Sequence, residues 1–419
     1  MNDNMKINQT GTETVSPKQD GGKLKAKREP LFHISKRASI GLGKAIGIRV
    51  GAIFLALVLA GLITLLILKQ NPFVAYATMF SGVFGANTMV SFKNTAILLC
   101  IALALTPAFK MRFWNIGAEG QVLAGALATS FCMYYLYFLP TPLLVALMLV
   151  CSLAAGALWA IIPAIFKAIW GTNETLFTLM MNSIAACLTL FMMKFWSQKT
   201  GNVDKEILDP EGKINAIFGG NHLIVILSVL AVCAIMFVYL KYSKHGYEIS
   251  VVGESEKTAK YVGINVKKVI IRTMAISGLI CGLAGFLIVA PAQNISSTIV
   301  GGQGFTAIMV AWLAKFNPII MILSAFLFIF VSSGGREIST TLKFEAAYAD
   351  ILIGILLFFI IGCEFFVNYS LTPTARGAVI VNKIKKFFAP VTNFVKKIFN
   401  KLSKLISALI SKLKKGGDK

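Results

Sequence analysis

The chain has few of the residues that build enzyme active sites, metal centres or disulfide frameworks. It contains three histidines in 419 residues, and they are isolated from one another in sequence. Its seven cysteines form no C-x-x-C pair and lie inside apolar runs, which is typical of small core residues. The G-x-x-x-x-G-K-[ST] nucleotide-binding motif is missing as well. We therefore expect no metal site, no cofactor and no catalytic residue in this chain.

Charge is also scarce, and acidic charge is the scarcer kind. Charged residues make up 14% of the sequence, and 41 Lys and Arg outnumber 18 Asp and Glu, which gives a net charge of +23. Hydrophobic residues reach 56%, with a mean hydropathy of +0.74. These values indicate an all-α polytopic membrane protein. Nucleic acid is not an expected partner, because the basic residues follow loops and tails and form no aromatic-interleaved domain.

The distribution of basic residues predicts the topology. Lysines and arginines concentrate before residue 46, in residues 241–272 and after residue 375. By the positive-inside rule these regions and both termini lie in the cytoplasm, which requires an even number of crossings of the cell membrane. About ten spans are predicted, at residues 46–68, 93–109, 117–138, 142–166, 174–196, 221–240, 269–290, 303–315, 318–333 and 348–368. The eighth is too short for a full crossing, and this indicates a broken helix.

These spans divide the chain into three regions. Residues 1–45 are predicted to be a disordered basic cytoplasmic tail, and residues 46–368 a transmembrane domain. Residues 369–419 are predicted to form a cytoplasmic basic amphipathic helix, since apolar residues recur there at helical spacing between lysines. We expect this helix to lie on the anionic lipids of the inner leaflet. The alternative is a docking arm for a cytoplasmic partner.

Two glycine-rich motifs open membrane spans of opposite direction. Residues 113–121 read F-W-N-I-G-A-E-G-Q, and their carboxylate and amides at the start of a membrane helix indicate a solute path. Residues 301–304 read G-G-Q-G and open the eighth span. Similar motifs in oppositely oriented halves predict an inverted repeat that relates spans two to five to spans seven to ten. The alternative is ordinary helix packing by small residues.

Residues 251–264, in the central basic region, contain a second feature of interest. Residues 255–261 are compatible with a short helix, with Glu254 and Glu256 near its positive N-terminus, Lys260 near its C-terminus and Gly263 as its stop. A short capped helix between two spans can serve as a binding surface for a partner protein. A solvated loop is the alternative.

The same residues carry a resemblance to a known family. Gly253-Glu254, Ala259 and Gly263-Ile264 resemble the coupling-helix loop of ATP-binding-cassette importer permeases. Residues 113–121 resemble the F-x-N-I-G-x-E-G-Q signature of the nucleoside permeases that work with basic-membrane-protein-type lipoproteins, apart from the bulky Trp114. The resemblance covers most of residues 46–368 and is strongest to the larger of the two permeases that such systems pair.

The resemblance implies a membrane-spanning permease subunit that imports nucleosides such as guanosine. It also implies four macromolecular or lipid partners: a cytoplasmic ATPase that binds the ATP, a second permease, an extracellular substrate-binding lipoprotein and the membrane lipids. The implied ATPase-coupling residues are Gly253, Glu254, Ala259 and Gly263. Two alternatives are a permease for ribose-like sugars and an ion-coupled secondary transporter.

Polar residues at the glycine motifs and in the neighbouring spans are the candidates for the substrate pathway. Their amides and hydroxyls can exchange hydrogen bonds with a ribose and a base. They are Asn115, Glu119, Gln121, Asn173, Glu174, Asn182, Gln303 and Thr306. Each has a structural alternative: a helix N-terminal charge for the glutamates, an N-cap for Asn115 and Asn173, and interhelical contact for Asn182. For Asp350 and Glu364 we expect interfacial or packing roles.

Overall fold

The computed structural model of the chain describes residues 32–37, 41–69, 71–85, 87–197, 222–341, 343 and 347–374. Thirteen helices and two strands lie within these ranges. In chain order they are β1 (Phe32–Lys36), α1 (Leu42–Leu68), α2 (Pro72–Phe84), α3 (Thr88–Lys110), α4 (Ala118–Tyr135), α5 (Thr141–Trp170), α6 (Glu174–Ser197), α7 (His222–Tyr242), α8 (Lys244–Glu254), α9 (Glu256–Tyr261), α10 (Val266–Ala292), α11 (Gln303–Leu313), α12 (Pro318–Thr341), α13 (Ala347–Asn368) and β2 (Tyr369–Pro373). The predicted helical membrane fold is confirmed.

Seven helices in the described part of the chain are long and apolar enough to cross a membrane. They are α1, α3, α5, α6, α7, α10 and α12. The predicted total of ten is therefore not established. Helix α4 has 18 residues, and Glu119 and Gln121 in its first turn lower its hydropathy. Helix α11 has 11 residues and spans about 16 Å, roughly half of a bilayer core of about 30 Å, so the predicted short eighth span is confirmed.

Helix α2 lies between the first two predicted spans, where no helix was expected. Its 13 residues are too few to cross a membrane, so a search for full-length spans misses it. Its start is nonetheless well specified by sequence. Pro72 occupies the first turn, and the Asn71 side-chain oxygen accepts a hydrogen bond from the Phe73 N–H at 3.0 Å.

The chain divides into two units, residues 46–364 and residues 1–45 with 365–419. In the second unit, β1 and β2 pair antiparallel, with Phe32 opposite Pro373 and Lys36 opposite Tyr369. The expected tail and amphipathic helix therefore need correction at residues 32–36 and 369–373. Each strand is only five residues long, and its partner is more than 300 residues away, so local sequence gives little sign of the pairing. Residues 1–31 and 375–419, which carry most of those two predictions, lie outside the described residues.

The core of the first unit is a close crossing of α10 with α4 and α5. A Cβ atom on Gly282 of α10 would lie 2.2 Å from the Ser152 carbonyl oxygen of α5, and one on Gly125 of α4 would lie 2.6 Å from the Gly282 Cα. Only glycine allows backbones to approach this closely. The three helices α4, α5 and α10 are therefore in close backbone contact, and we call them the platform.

Helix contacts within this unit follow the predicted inverted repeat. Helix α10 packs on α4 and α5, and α3 packs on α11 and α12. In the predicted repeat, α3 corresponds to α10, α4 to α11 and α5 to α12. With these correspondences, the contacts of α10 with α4 and α5 match those of α3 with α11 and α12. The two central helices, α3 and α10, pack on each other. This pattern supports a relation between the two halves, beyond the likeness of their glycine motifs.

We expect Gly282→Ala to loosen the platform, because its new methyl group would overlap the Ser152 carbonyl oxygen. The free energy of unfolding should fall by about 1–3 kcal/mol, the usual cost of overpacking. The measurement is the melting temperature of the purified protein in detergent. Gly51→Ala is the matched control, since a Cβ on Gly51 of α1 meets no described atom within 4 Å. Equal melting temperatures for the two variants would contradict this account.

Candidate solute path and coupling region

The segment between α3 and α4, residues 111–117, is irregular and its polar groups are satisfied inside the protein. Asn115 is fully buried, and its Oδ1 accepts a hydrogen bond from the Gly117 N–H at 3.0 Å. The side-chain amides of Asn115 and Gln121 bond to each other, with Gln121 Nε2 donating to Asn115 Oδ1 at 3.2 Å. Asn115 Nδ2 also lies 3.4 Å from Ser277 Oγ of α10. These two predicted pathway residues therefore hold backbone and neighbouring helices together in this conformation.

Helix α6 forms hydrogen bonds with this segment and with the start of α4, through Asn182 and Thr178. Asn182 Oδ1 accepts a hydrogen bond from the Gly120 N–H at 2.8 Å, and its Nδ2 donates to the Ile116 carbonyl at 2.9 Å. The Ile116 N–H donates to Thr178 Oγ1 at 3.2 Å. Asn182 thus makes the interhelical contact that we gave as its structural alternative.

Glu119 brings the two glycine motifs together. Its Oε1 accepts a hydrogen bond from the Gly302 N–H at 2.9 Å, and its Oε2 accepts one from the Gly304 N–H at 2.7 Å. The carboxylate therefore caps the N-terminus of α11, the short helix of the second half. A Cβ on Gly304 would lie 2.6 Å from the Glu119 backbone nitrogen, so this approach needs the glycine. Sequence predicted a helix-terminal role as an alternative, but not that the helix would be α11.

Asn173 and Glu174 lie at the turn between α5 and α6. Asn173 Oδ1 accepts hydrogen bonds from the N–H groups of Thr175 and Leu176, at 3.0 and 3.3 Å, which is the geometry of an N-cap. Glu174 forms an ion pair with Lys167 of α5, with 2.7 Å between Oε2 and Nζ. Neither side chain is brought to the cavity described next.

A cavity of about 650 Å³ lies beside the N-terminus of α11. Its wall includes Gln303 and Thr306, the two predicted residues on that helix. Several wall residues were not predicted to take part. They are Asn94, Phe305, Phe328, Ser332, Arg336 and Asp350. The Gln303 Oε1 atom is buried and has no hydrogen-bond partner among the described residues.

Asp350, for which we expect an interfacial or packing role, lines this cavity from the first turn of α13. It and Arg336 are the acidic and basic members of the wall. Their position in the predicted ninth and tenth spans, or just beyond, was a signal that could have identified them. Glu364 does have the expected packing role, with ion pairs to Arg49 at 3.1 Å and to Lys315 at 2.8 Å. Within the described ranges, no three His, Cys, Asp or Glu side chains form a group that could hold a metal ion.

The predicted short helix after α8 is confirmed as α9. Ser255 caps it by accepting a hydrogen bond from the Thr258 N–H at 3.2 Å, and Gly263, with φ of +84°, follows its end. Ala259 is fully buried, whereas Glu254 is exposed. A Cβ on Gly253 would lie 2.0 Å from the Lys110 carbonyl oxygen, so α8 rests against the last residue of α3.

An ion pair links α8 to α10 on the same side of the protein. Glu248 Oε2 lies 2.6 Å from Arg272 Nη2, and both side chains are partly buried. The hydrogen bond from Arg272 holds the pKa of the Glu248 carboxyl below its usual value. Helix α8 therefore contacts both central helices, α3 at Lys110 and α10 at Arg272, and a displacement of α8 would act on both halves.

Comparison with known proteins finds relatives over most of the chain. The family described as "Branched-chain amino acid transport system / permease component" matches residues 87–361. The glucose ABC transporter permease protein TsgB13 of Haloferax volcanii is 29% identical over 357 residues, which are 81% of this chain and 93% of the relative. The guanosine ABC transporter permease protein NupP of Bacillus subtilis is 28% identical over 311 residues, 72% of this chain and 89% of the relative.

A third relative is the nucleoside ABC transporter permease protein NupB of Lactococcus lactis. It is 27% identical over 294 residues, which are 66% of this chain and 80% of the relative. The family match spans both glycine motifs, the α8–α9 pair and the cavity wall. The solute-path segment, the cavity and the α8–α9 pair therefore lie within one family domain.

The Glu248–Arg272 pair predicts that the local stability of α8 depends on pH. Because the folded pKa of Glu248 is lowered, its stabilisation is complete above the usual carboxyl range and is lost as pH falls through the folded value. At pH 7, Glu248→Gln should speed hydrogen exchange of the α8 amides about two- to fivefold, as for a partly exposed ion pair. On acidification the wild-type rate should approach that of the variant.

The control for this measurement is Glu256→Gln, which removes an exposed carboxylate from the neighbouring helix α9. Its α8 amides should exchange at the wild-type rate. Equal protection of α8 in the Glu248→Gln variant and the wild type at pH 7 would show that the ion pair does not hold the helix.

Proposed function

We propose a cargo and a set of partners for this chain, which belongs to the family of permease components of branched-chain amino acid transport systems. The proposed cargo is a nucleoside, with guanosine as the first candidate. The observation that carries this choice is the wall of the cavity beside α11, which includes Phe305 together with Gln303 and Thr306. Two similar permeases whose names specify guanosine or nucleosides support it.

The chemistry of the wall suits a neutral solute with a planar base and a hydroxyl-bearing sugar. Gln303 belongs to the cavity wall, and a side-chain amide can exchange hydrogen bonds with a ribose hydroxyl or a base N–H. Phe305 is partly exposed, and an aromatic face of this kind stacks on bases. Arg336 and Asp350 balance each other's charge in the wall. The volume of about 650 Å³ lies within the range of about 300–1,000 Å³ that is usual for small-molecule sites.

The partners follow from what an ABC permease leaves to other chains. ATP hydrolysis is assigned to a separate cytoplasmic ATPase, because the sequence has no G-x-x-x-x-G-K-[ST] motif. We assign its docking to the α8–α9 pair, where the exposed Glu254 is available and the buried Ala259 keeps the two helices together. A second permease and an extracellular substrate-binding lipoprotein complete the proposed complex.

The proposed setting is a bacterial cell membrane with both termini in the cytoplasm. This orientation puts α8 and α9 on the cytoplasmic side, where an ATPase can reach them. It also makes α4 begin from the inner side and α11 from the outer side. Since Glu119 joins the starts of these two helices, their contact falls within the membrane in this orientation.

A sugar is the second candidate cargo. The observation that favours it is the 29% identity to a permease named for glucose, over 93% of that relative's length. A monosaccharide shares the hydroxyls of a nucleoside but lacks its planar base. A nucleoside can therefore stack its base on the Phe305 ring, whereas a monosaccharide has no base to stack.

The first experiment is the uptake of labelled guanosine, adenosine, uridine and ribose by cells with and without this gene. We expect the deletion to remove nucleoside uptake and to leave ribose uptake unchanged. ATP depletion of the intact cells should have the same effect, since the proposed drive is ATP hydrolysis. Loss of ribose uptake alone would favour the sugar permease, and a difference that survives ATP depletion would reject the ABC importer.

Phe305→Leu tests the aromatic contact directly. Base stacking on an aromatic ring is worth about 1–3 kcal/mol, so nucleoside uptake at low concentration should fall about fivefold or more. The matched control is Phe191→Leu on α6, an exposed phenylalanine outside the cavity wall. Equal uptake by the two variants, at equal amounts of protein in the membrane, would remove Phe305 from the binding site.

A further inference from the structure

Helix α11 is held at both of its ends by carboxylates from other helices. Glu119 of α4 accepts hydrogen bonds from the Gly302 and Gly304 N–H groups at its start. Lys315, two residues beyond its end, pairs with Glu364 of α13 at 2.8 Å. Lys315 is 54% exposed, so the second contact is the weaker of the two. Of these two polar contacts, the one to Glu119 is therefore the stronger.

The two contacts also differ in kind. The first N–H groups of a helix have no partner within the helix, and here a carboxylate satisfies two of them. Charge-assisted hydrogen bonds of this sort are about twice as strong as neutral ones. At the other end, Lys315 and Phe316 have φ of +50° and +60°, values that non-glycine residues rarely adopt. The turn into α12 is thus strained, whereas the start of α11 is well bonded.

The two glycine motifs are anchored differently in spite of their similarity. The Gly120 N–H at the start of α4 donates to Asn182, which lies on α6 of the same half. The equivalent Gly304 N–H at the start of α11 donates to Glu119, which lies in the opposite half. The first half therefore bonds to the start of its own helix α4 through Asn182. It also bonds to the start of α11, in the second half, through Glu119. If the halves move relative to each other during transport, the Glu119 contact must change.

We propose that Glu119 is a positioning residue for transport, which acts by latching α11 to the first half. While latched, α11 presents Gln303, Phe305 and Thr306 to the cavity and closes it toward the inner side. Release of the two N–H groups frees α11 to move, and the cavity then opens inward. This proposal rests on the function and orientation proposed above, but it does not depend on which solute is carried.

The test measures access to Thr306 from each side of the membrane. The reporter is Thr306→Cys in a chain where the exposed Cys187 is replaced by serine. A membrane-impermeant thiol reagent is applied to right-side-out and to inside-out vesicles. We expect the reporter to be labelled mainly from the outside. Adding Glu119→Gln should raise labelling from the inner face about fivefold or more, the lower end of typical coupling effects.

Glu337→Gln is the matched control, because it makes the same change in a carboxylate that accepts its hydrogen bond from the Thr341 hydroxyl of its own helix. It should leave labelling from both faces unchanged. Should Glu119→Gln prevent folding, Gly304→Ala tests the same contact. Its methyl group would force α11 away from Glu119, and the carboxylate of Glu119 would stay in place. We expect the same rise in inner-face labelling.

Unchanged labelling in folded Glu119→Gln protein, or an equal rise in the Glu337→Gln control, would overturn the latch. A Glu119 that served only for folding would lower the amount of protein without changing the side from which the reporter is labelled. Because no nucleoside enters this assay, a failed latch and a wrong cargo give separate results. Normal nucleoside uptake with unchanged labelling rejects the latch alone.

Discussion

The need to satisfy every backbone polar group inside a membrane governs this structure. Irregular backbone at membrane depth is tolerated only where protein or a water-filled cavity supplies hydrogen bonds. Among the described residues, two irregular stretches, 111–117 and 293–302, each lie ahead of a helix that begins with a glycine motif. Asn182, Thr178 and Asn115 serve the first stretch, and Glu119 serves the end of the second. The polar residues of the spans are placed by this requirement.

A division of labour among those polar residues follows. One group bonds to backbone and holds the short helices in position, as Asn182 and Glu119 do. The other group, with Gln303, Arg336 and Asp350 among its members, lines the cavity. Residues of the first group should be required whatever the solute, whereas those of the second should set its identity. A family whose members are named for glucose, guanosine and nucleosides fits a common scaffold with a variable wall.

The platform of α4, α5 and α10 connects this site to the α8–α9 pair. Helix α8 contacts the end of α3 through Gly253 and the start of α10 through the Glu248–Arg272 pair. Those two helices lead directly into the irregular stretches that end at the glycine motifs. A short chain of packed elements thus runs from the proposed ATPase contact to the cavity. Energetic coupling between distant sites is carried by packed elements of this kind.

Local sequence was a good guide wherever a single element decided the outcome. Hydrophobic runs predicted the long helices, and the short eighth span predicted the brevity of α11. The charges near both ends of residues 255–261, with Gly263 as the stop, predicted α9. The N-cap role of Asn173 was foreseen as an alternative for the same reason. The short α2 was missed, because a length threshold set by the bilayer overlooks a helix that does not cross it.

By itself, then, the sequence determined that this is a helical membrane protein, where its short helix α11 lies and that a short helix follows residue 254, because each of these depends on neighbours within a few turns. Tertiary structure alone decided the partners. It paired β1 with β2, placed Glu119 on the start of α11, and brought Arg336 and Asp350 to one cavity. The physical reason is that these contacts join residues far apart in the chain, and their distances are set by the packing of whole helices and strands.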